Sequence, residues 1–232
     1  MLKLNYFNGR GLAETSRLIF AAADKKYEDF RYPLEIIDWK THNIVRNEFD
    51  DDKASGKLWR PTGKLPFLEV GGHVISQSKS IERYLAKRFK FMGETDEEAA
   101  LIDSYCEYIR DFKTAYQDVR KAENKDEAMK KWFSETLPEK LSSFEKILCE
   151  NTDFQSIPSK IKSILKNVKF SVGNKLSLAD IVIYSFLVDF FDDKESVKKS
   201  FENYKMLTTI VNTVGENRHI KKWVENRPET VF

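Results

Sequence analysis

At 232 residues the chain is long enough for one large domain or two ordinary ones, and a 41% share of hydrophobic residues is that of a globule, not of a disordered chain. With 39 Lys and Arg against 37 Asp and Glu the formal charge is only +2, without the basic excess that marks a nucleic-acid binder. Cys106 and Cys149 stand far apart, with no CxxC pair and no Cys/His cluster at ligand spacing, which argues against a disulfide framework or a structural zinc site and fits a reducing compartment.

The opening run Met1-Leu2-Lys3-Leu4-Asn5-Tyr6-Phe7 lacks the long apolar core of a signal peptide. The longest mostly apolar stretch, residues 181–188, is far short of a membrane span. A cytoplasmic protein is expected, with neither membrane nor nucleic acid as partner.

In chain order, residues 2–7 read as a short strand. Residues 13–24 read as a helix with Leu18, Ile19, Ala22 and Ala23 at helical spacing, and residues 27–32 alternate as a second strand. Strand, helix, strand at this spacing is a βαβ unit with a parallel pair. Residues 66–70 and 73–76 flank Gly71-Gly72 as a hairpin, and a helix over 78–87 follows with Ile81, Tyr84 and Leu85 inward. The order βαβ, loop, ββα predicts a small thioredoxin-like α/β domain over residues 1–88. A linker falls at 89–95. Beyond it only helical patterns appear, over 97–121, 126–150, 178–191, 205–214 and 219–225, so an all-helical domain is expected over residues 96–232. Residues 47–61 and 151–167 are locally polar and read as added loops, the second with some helix.

Three signatures occur along this frame. The first is Tyr6-Phe7-Asn8-Gly9-Arg10-Gly11-Leu12-Ala13-Glu14, a strand end running into a helix. The second is Gly63-Lys64-Leu65-Pro66-Phe67-Leu68, followed by Gln77-Ser78 and then Ile81, Tyr84 and Leu85. The third is Asn174-Lys175-Leu176-Ser177-Leu178-Ala179-Asp180. Each is weak alone. In this order and spacing, over the whole length to Trp223-Val224-Glu225-Asn226-Arg227-Pro228, the chain resembles the cytosolic glutathione transferases. The opening run looks closest to their tyrosine-type group of sigma, mu, alpha and pi classes, sigma first.

The resemblance implies an enzyme that sets the thiol of glutathione on apolar electrophiles. The thiolate is the nucleophile, and a free thiol has a pKa of about 8.5. A neutral hydroxyl that donates to sulfur favours the charged form, and tyrosine, with its own pKa of about 10, remains a donor at neutral pH. A strand tyrosine by itself reads as core; with the other motifs Tyr6 reads as the catalytic donor. Leu65-Pro66 reads alone as a turn proline; the resemblance implies a cis bond that leaves the Leu65 backbone to pair with glutathione. Ser78 reads as the N-cap of a helix whose free N–H groups would hold the glutamyl carboxylate, with Gln77 beside it. Asp111 corresponds to an acid that reaches glutathione from the second subunit of a homodimer, and Trp39 and Lys64 to positions at its glycine end. Electrophile-site candidates are Phe7, Tyr105, Ile109, Tyr116 and Phe232, residues that read equally as core or interface aromatics. Ser177 and Asp180 form a capping box, read as structural.

Glutathione is on this reading a co-substrate, and no cofactor or metal is expected. Leu12 stands where many relatives carry a basic residue, with Arg10 nearby. The sigma class includes prostaglandin D synthases; at positions that resemble their substrate pocket Lys113 and Asp118 stand instead of apolar residues, and Arg110 interrupts the acidic cluster that binds a metal ion there, so prostaglandin D2 synthesis is not expected. The resemblance also allows peroxide reduction as a second activity. The alternative function is a glutathione-dependent carrier of hydrophobic ligands or haem. A thiol–disulfide oxidoreductase is disfavoured by the missing CxxC.

Overall fold

The computed structural model describes residues 1–38, 43–152 and 169–230. The chain forms two compact units: Met1–Phe89 together with the segment that begins at His219, and Lys90–Arg218.

In the first unit β1 (Leu2–Phe7), α1 (Glu14–Ala22, entered through a 3-10 turn at Gly11–Ala13), β2 (Glu28–Tyr32), β5 (Phe67–Val70), β6 (His73–Ser76) and α3 (Ser78–Arg88) build the expected arrangement. The sheet order is β2-β1-β5-β6, with β1 parallel to β2 and antiparallel to β5. Strand alternation then sorts the β1 side chains. Leu4 and Tyr6 share one face with Asp29, Arg31 and Leu68; Asn5 and Phe7 share the other with Phe30, Tyr32 and Phe67.

That second face carries a finding the composition concealed. Residues 47–61 are not merely a loop: they contain α2 (Asn47–Ala54), and Phe49 and Leu58 are buried with Tyr32 and Phe67 in a cluster that Phe7, Phe30, Leu65 and Val74 extend. The stretch reads as polar because Phe49 is the single buried residue of α2. One aromatic anchor, 5.1 Å from Phe7 and 5.7 Å from Tyr32 ring to ring, holds a helix of otherwise charged residues. A small second sheet, β3 (Glu35–Asp38) paired with β4 (Asn43–Val45), precedes it.

The helical unit contains α4 (Asp96–Arg120), α5 (Lys125–Lys131), α6 (Leu137–Thr152), α7 (Leu178–Tyr184), α8 (Lys194–Phe201) and α9 (Lys205–Gly215), and α10 (Arg218–Asn226) follows. Thr95 caps α4 by accepting from the Glu98 N–H. Two of the long expected helices contain π turns, at Trp132–Thr136 and Ser185–Phe190. The first has a visible cause. Pro138 has no N–H to give the carbonyl four residues back and its ring crowds that carbonyl, which belongs to residue 134 inside the π turn. Helix α8 lay outside the expected elements. Its signal is short, Val197 and Phe201 one turn apart behind the Asp193 cap. Among the described residues no helix is long and apolar enough to cross a membrane.

Candidate functional site

Tyr6 is the last residue but one of β1, with its side chain on the α1 face, and only 7% of it is exposed. Its hydroxyl accepts a hydrogen bond from the Leu12 N–H at 3.1 Å, which leaves the phenolic proton available to a further acceptor. Burial pushes the Tyr6 pKa up, while the Leu12 N–H and the Arg17 guanidinium pull it back. Tyr6 therefore keeps its proton at neutral pH. The turn beneath it demands glycine. Gly11 has φ +35°, and a Cβ there would lie 2.6 Å from the Tyr6 hydroxyl oxygen. Leu12 turns its side chain outward, 57% exposed, and serves the site through its backbone.

Around the hairpin the sequence-derived binding residues occupy one stretch of backbone. The Leu65-Pro66 bond is cis. The β5 ladder begins only at Phe67, so the Leu65 backbone lies beyond it. Lys64 is exposed, Leu65 half-buried and Pro66 buried. Ser78 is not the N-cap of α3: Gln77 holds that place and Ser78 is the first helical residue, where its N–H is one of the free donors of the helix start. Gln77 is exposed and has φ 70° and ψ 117°, a strained backbone for a residue with a Cβ. Gln77→Gly is expected to raise stability by about 0.5–1 kcal/mol in urea denaturation, since glycine adopts that φ without steric cost. A lower midpoint would show that the relieved strain is smaller than the entropy glycine adds to the unfolded chain.

In the helical unit Asp111 is exposed on α4, beside an Arg110 that pairs with Glu107 at 2.6 Å. Tyr105, Ile109 and Tyr116 are buried in the core of that unit: Tyr105 packs edge-on against Phe144 at 5.6 Å, and Tyr116 against Phe191 at 4.7 Å. Phe7, by contrast, keeps part of its surface open. Lys113 sits over the Phe190 ring at 5.1 Å. Trp39 and Phe232 lie outside the described residues, as does residue range 153–167 of the second polar stretch.

Sequence reasoning missed the polar groups under Tyr6. Glu14, Thr15, Ser16 and Arg17, the most polar turn of α1, are all buried, while Ala22 and Ala23, expected inward, are half-buried. The available signal was an acid and a base three residues apart at the start of a helix that is otherwise apolar.

Two family models match the chain: the glutathione S-transferase N-terminal domain over residues 2–87 and the glutathione S-transferase C-terminal domain over residues 110–227. The chain is 30% identical over 236 residues to glutathione S-transferase 3 of Caenorhabditis elegans, with 99% of this chain and 98% of the relative covered. It is 31% identical over 237 residues to the hematopoietic prostaglandin D synthase of Gallus gallus, again covering 99% and 98%. Among solved structures, a monomeric glutathione S-transferase from the hookworm Necator americanus aligns with a TM-score of 0.73 at 29% identity, covering 100% of this chain and 99% of that one.

Proposed function

The chain belongs to the glutathione S-transferase family of enzymes, and from that premise we propose that Tyr6 donates a hydrogen bond to the thiol of bound glutathione and stabilises the thiolate for attack on apolar electrophiles. The observation that carries this reading is the hydroxyl's own bonding: it accepts from Leu12 N–H and so has its proton free to give to sulfur. Glutathione lies along the hairpin. The Leu65 backbone pairs with its cysteinyl unit, the α3 N-terminus with Gln77 and Ser78 holds the glutamyl carboxylate, and Lys64 and Trp39 meet the glycine end. Phe7 is the electrophile-side residue with open surface; Tyr105, Ile109 and Tyr116, buried in the core of the helical unit, act as packing. Asp111, exposed on α4, completes the site of a second copy in a homodimer. The class is sigma-like, a placement supported by the Gallus gallus synthase among the relatives, and organic peroxides are a second substrate class.

The test is conjugation of glutathione to chlorodinitrobenzene, assayed on protein resolved by size. Activity is expected in a species of twice 27.2 kDa. Activity confined to the monomer, the state of the hookworm relative, would remove Asp111 from the site. A second reading, a carrier of hydrophobic ligands or haem, is favoured by one observation, the exposed apolar Leu12 beside the Tyr6 hydroxyl. Tight glutathione and haem binding without conjugation of any electrophile would establish it instead.

A further inference from the structure

Arg17 is the most deeply placed charge in the sheet unit, with 0% of its surface exposed. Such a cation is costly to bury and persists only where its surroundings compensate it. Its polar contacts come from the turn after β1, its own helix and β2, while Nη2 is buried with no hydrogen-bond partner among the described residues. Nη1 donates to the Gly9 carbonyl at 2.6 Å and to Glu14 Oε2 of its own helix at 3.3 Å; Nε donates to Asp29 Oδ1 on β2 at 3.2 Å. Arg31, also on β2, shares that carboxylate, reaching Asp29 Oδ2 at 2.7 Å. From α10 and the residue just after it, Trp223 Nε1 and Arg227 Nη1 each donate to Glu14 Oε1 at 2.8 Å. Tyr27, stacked on Phe20, faces the same groups with its hydroxyl kept protonated by burial and by Asp29. The guanidinium carbon stands 5.9 Å from the centre of the Tyr6 ring.

The sum of charges matters more than any one bond. Three guanidinium groups, of Arg17, Arg31 and Arg227, meet two carboxylates, of Glu14 and Asp29, and leave one positive charge in excess under a buried phenol. A cation near an aromatic ring draws electron density from it and strengthens its O–H as a donor. The grip on Gly9 fixes the turn that brings the Leu12 N–H to the Tyr6 oxygen. The sequence lacks a basic side chain at Leu12, and this buried group supplies positive potential from the other direction.

We propose that Arg17 is a positioning residue for the transferase reaction, which polarises and seats Tyr6 from beneath and thereby does from the core what a basic side chain at position 12 would do from the surface. The inference rests on the reading of Tyr6 as thiol donor, and the experiment separates the two. The thiol pKa of glutathione bound to the full chain is read from the ultraviolet absorbance of its thiolate as pH is raised, for the native protein, Tyr6→Phe, Arg17→Met and Asp29→Asn, each first checked for native stability. Arg17→Met removes the cation and is expected to raise the bound thiol pKa by about one unit, a tenfold loss of thiolate at a pH below it. Asp29→Asn removes a neutralising carboxylate and is expected to lower it by about half a unit. General loosening of the site would raise it in both variants. Opposite shifts support the proposal; a rise in both, or no shift in either, overturns it. If Arg17→Met does not fold, Asp29→Asn decides alone, since its side chain is 18% exposed and its replacement is isosteric: a lowered pKa supports the proposal, an unchanged or raised one overturns it. A Tyr6→Phe protein with an unshifted thiol sinks the donor reading itself, whatever the other two variants do.

Discussion

Tyr6→Phe is expected to slow glutathione conjugation by roughly 10-fold to 1000-fold while leaving the protein folded, the range found when one preorganised donor is removed from a reacting centre. The substitution is clean because the ring stays. The edge-on contact with Phe7 at 5.8 Å and the proximity of Arg17 survive, and the only atom lost is the oxygen that bonds Leu12 N–H and would bond sulfur. The Leu12 N–H then lacks its acceptor, and because that bond is only part-buried its loss costs about 1 kcal/mol of stability. The pH dependence separates a lost donor from a lost base. Burial holds the Tyr6 pKa above its ordinary value of 10.0, so the phenol stays protonated across the neutral range. The rising limb of the native pH–rate profile therefore belongs to the glutathione thiol. In Tyr6→Phe that limb should move to higher pH, and the variant should recover rate relative to the native protein as the solution becomes alkaline. A variant whose rate falls equally at all pH values would point to misplaced substrate, and an unchanged rate would remove Tyr6 from the chemistry.

How much of this could be read from the sequence depends on what each residue has to show. Period-2 alternation and the Gly71-Gly72 turn are local signals, so the four strands of the main sheet and the hairpin were legible within a residue or two, whereas the short pair of β3 and β4 was not read. Tyr6, Leu65-Pro66 and Gln77-Ser78 were legible because three motifs stand in one order, not because any residue advertises its chemistry. What escaped was set by tertiary contact. Helix α2 looks polar and is held by one phenylalanine. Helix α8 is too short for its two apolar residues to stand out. Arg17 reads as a solvated helix charge until Glu14, Asp29 and the C-terminal helix are seen around it. Ser78 was misplaced by one position because cap preference identifies a residue type, whereas the cap itself is defined by the backbone of Gln77. The burial of Tyr105, Ile109 and Tyr116 follows from aromatic partners on other helices, which no local pattern reveals.

Asp180→Ala is expected to be the most destabilising single change in the helical unit, by about 3–5 kcal/mol in urea denaturation. Asp180 is 0% exposed, and its carboxylate collects the Ser171 N–H at 2.6 Å, the Ser177 N–H at 2.8 Å and the Ser177 hydroxyl at 2.8 Å. It thus closes a capping box with Ser177 at the start of α7 and also ties down the chain segment before that helix. Burial pushes the Asp180 pKa up and these donors pull it back, so the group is an expensive one that the fold retains for its bonds. Removing it leaves three donors in a dry place, each costing about 1–3 kcal/mol when unmet, partly offset because a buried charge no longer has to be desolvated. Helix α7 has every residue buried, so it has no solvent-facing side along which to adjust. Asp180→Asn keeps one acceptor but turns an N–H₂ toward a donor, and should cost about 2 kcal/mol. Ordering of Ala below Asn below native would confirm that the bonds carry the effect. An alanine variant within about 1 kcal/mol of native would mean that the segment before α7 reorganises and that the box is ornamental to stability. Because the cap lies away from Tyr6 in the chain and in a separate compact unit, the folded fraction of either variant should retain the native thiol pKa, which makes the capping box and the Tyr6 donor independently testable.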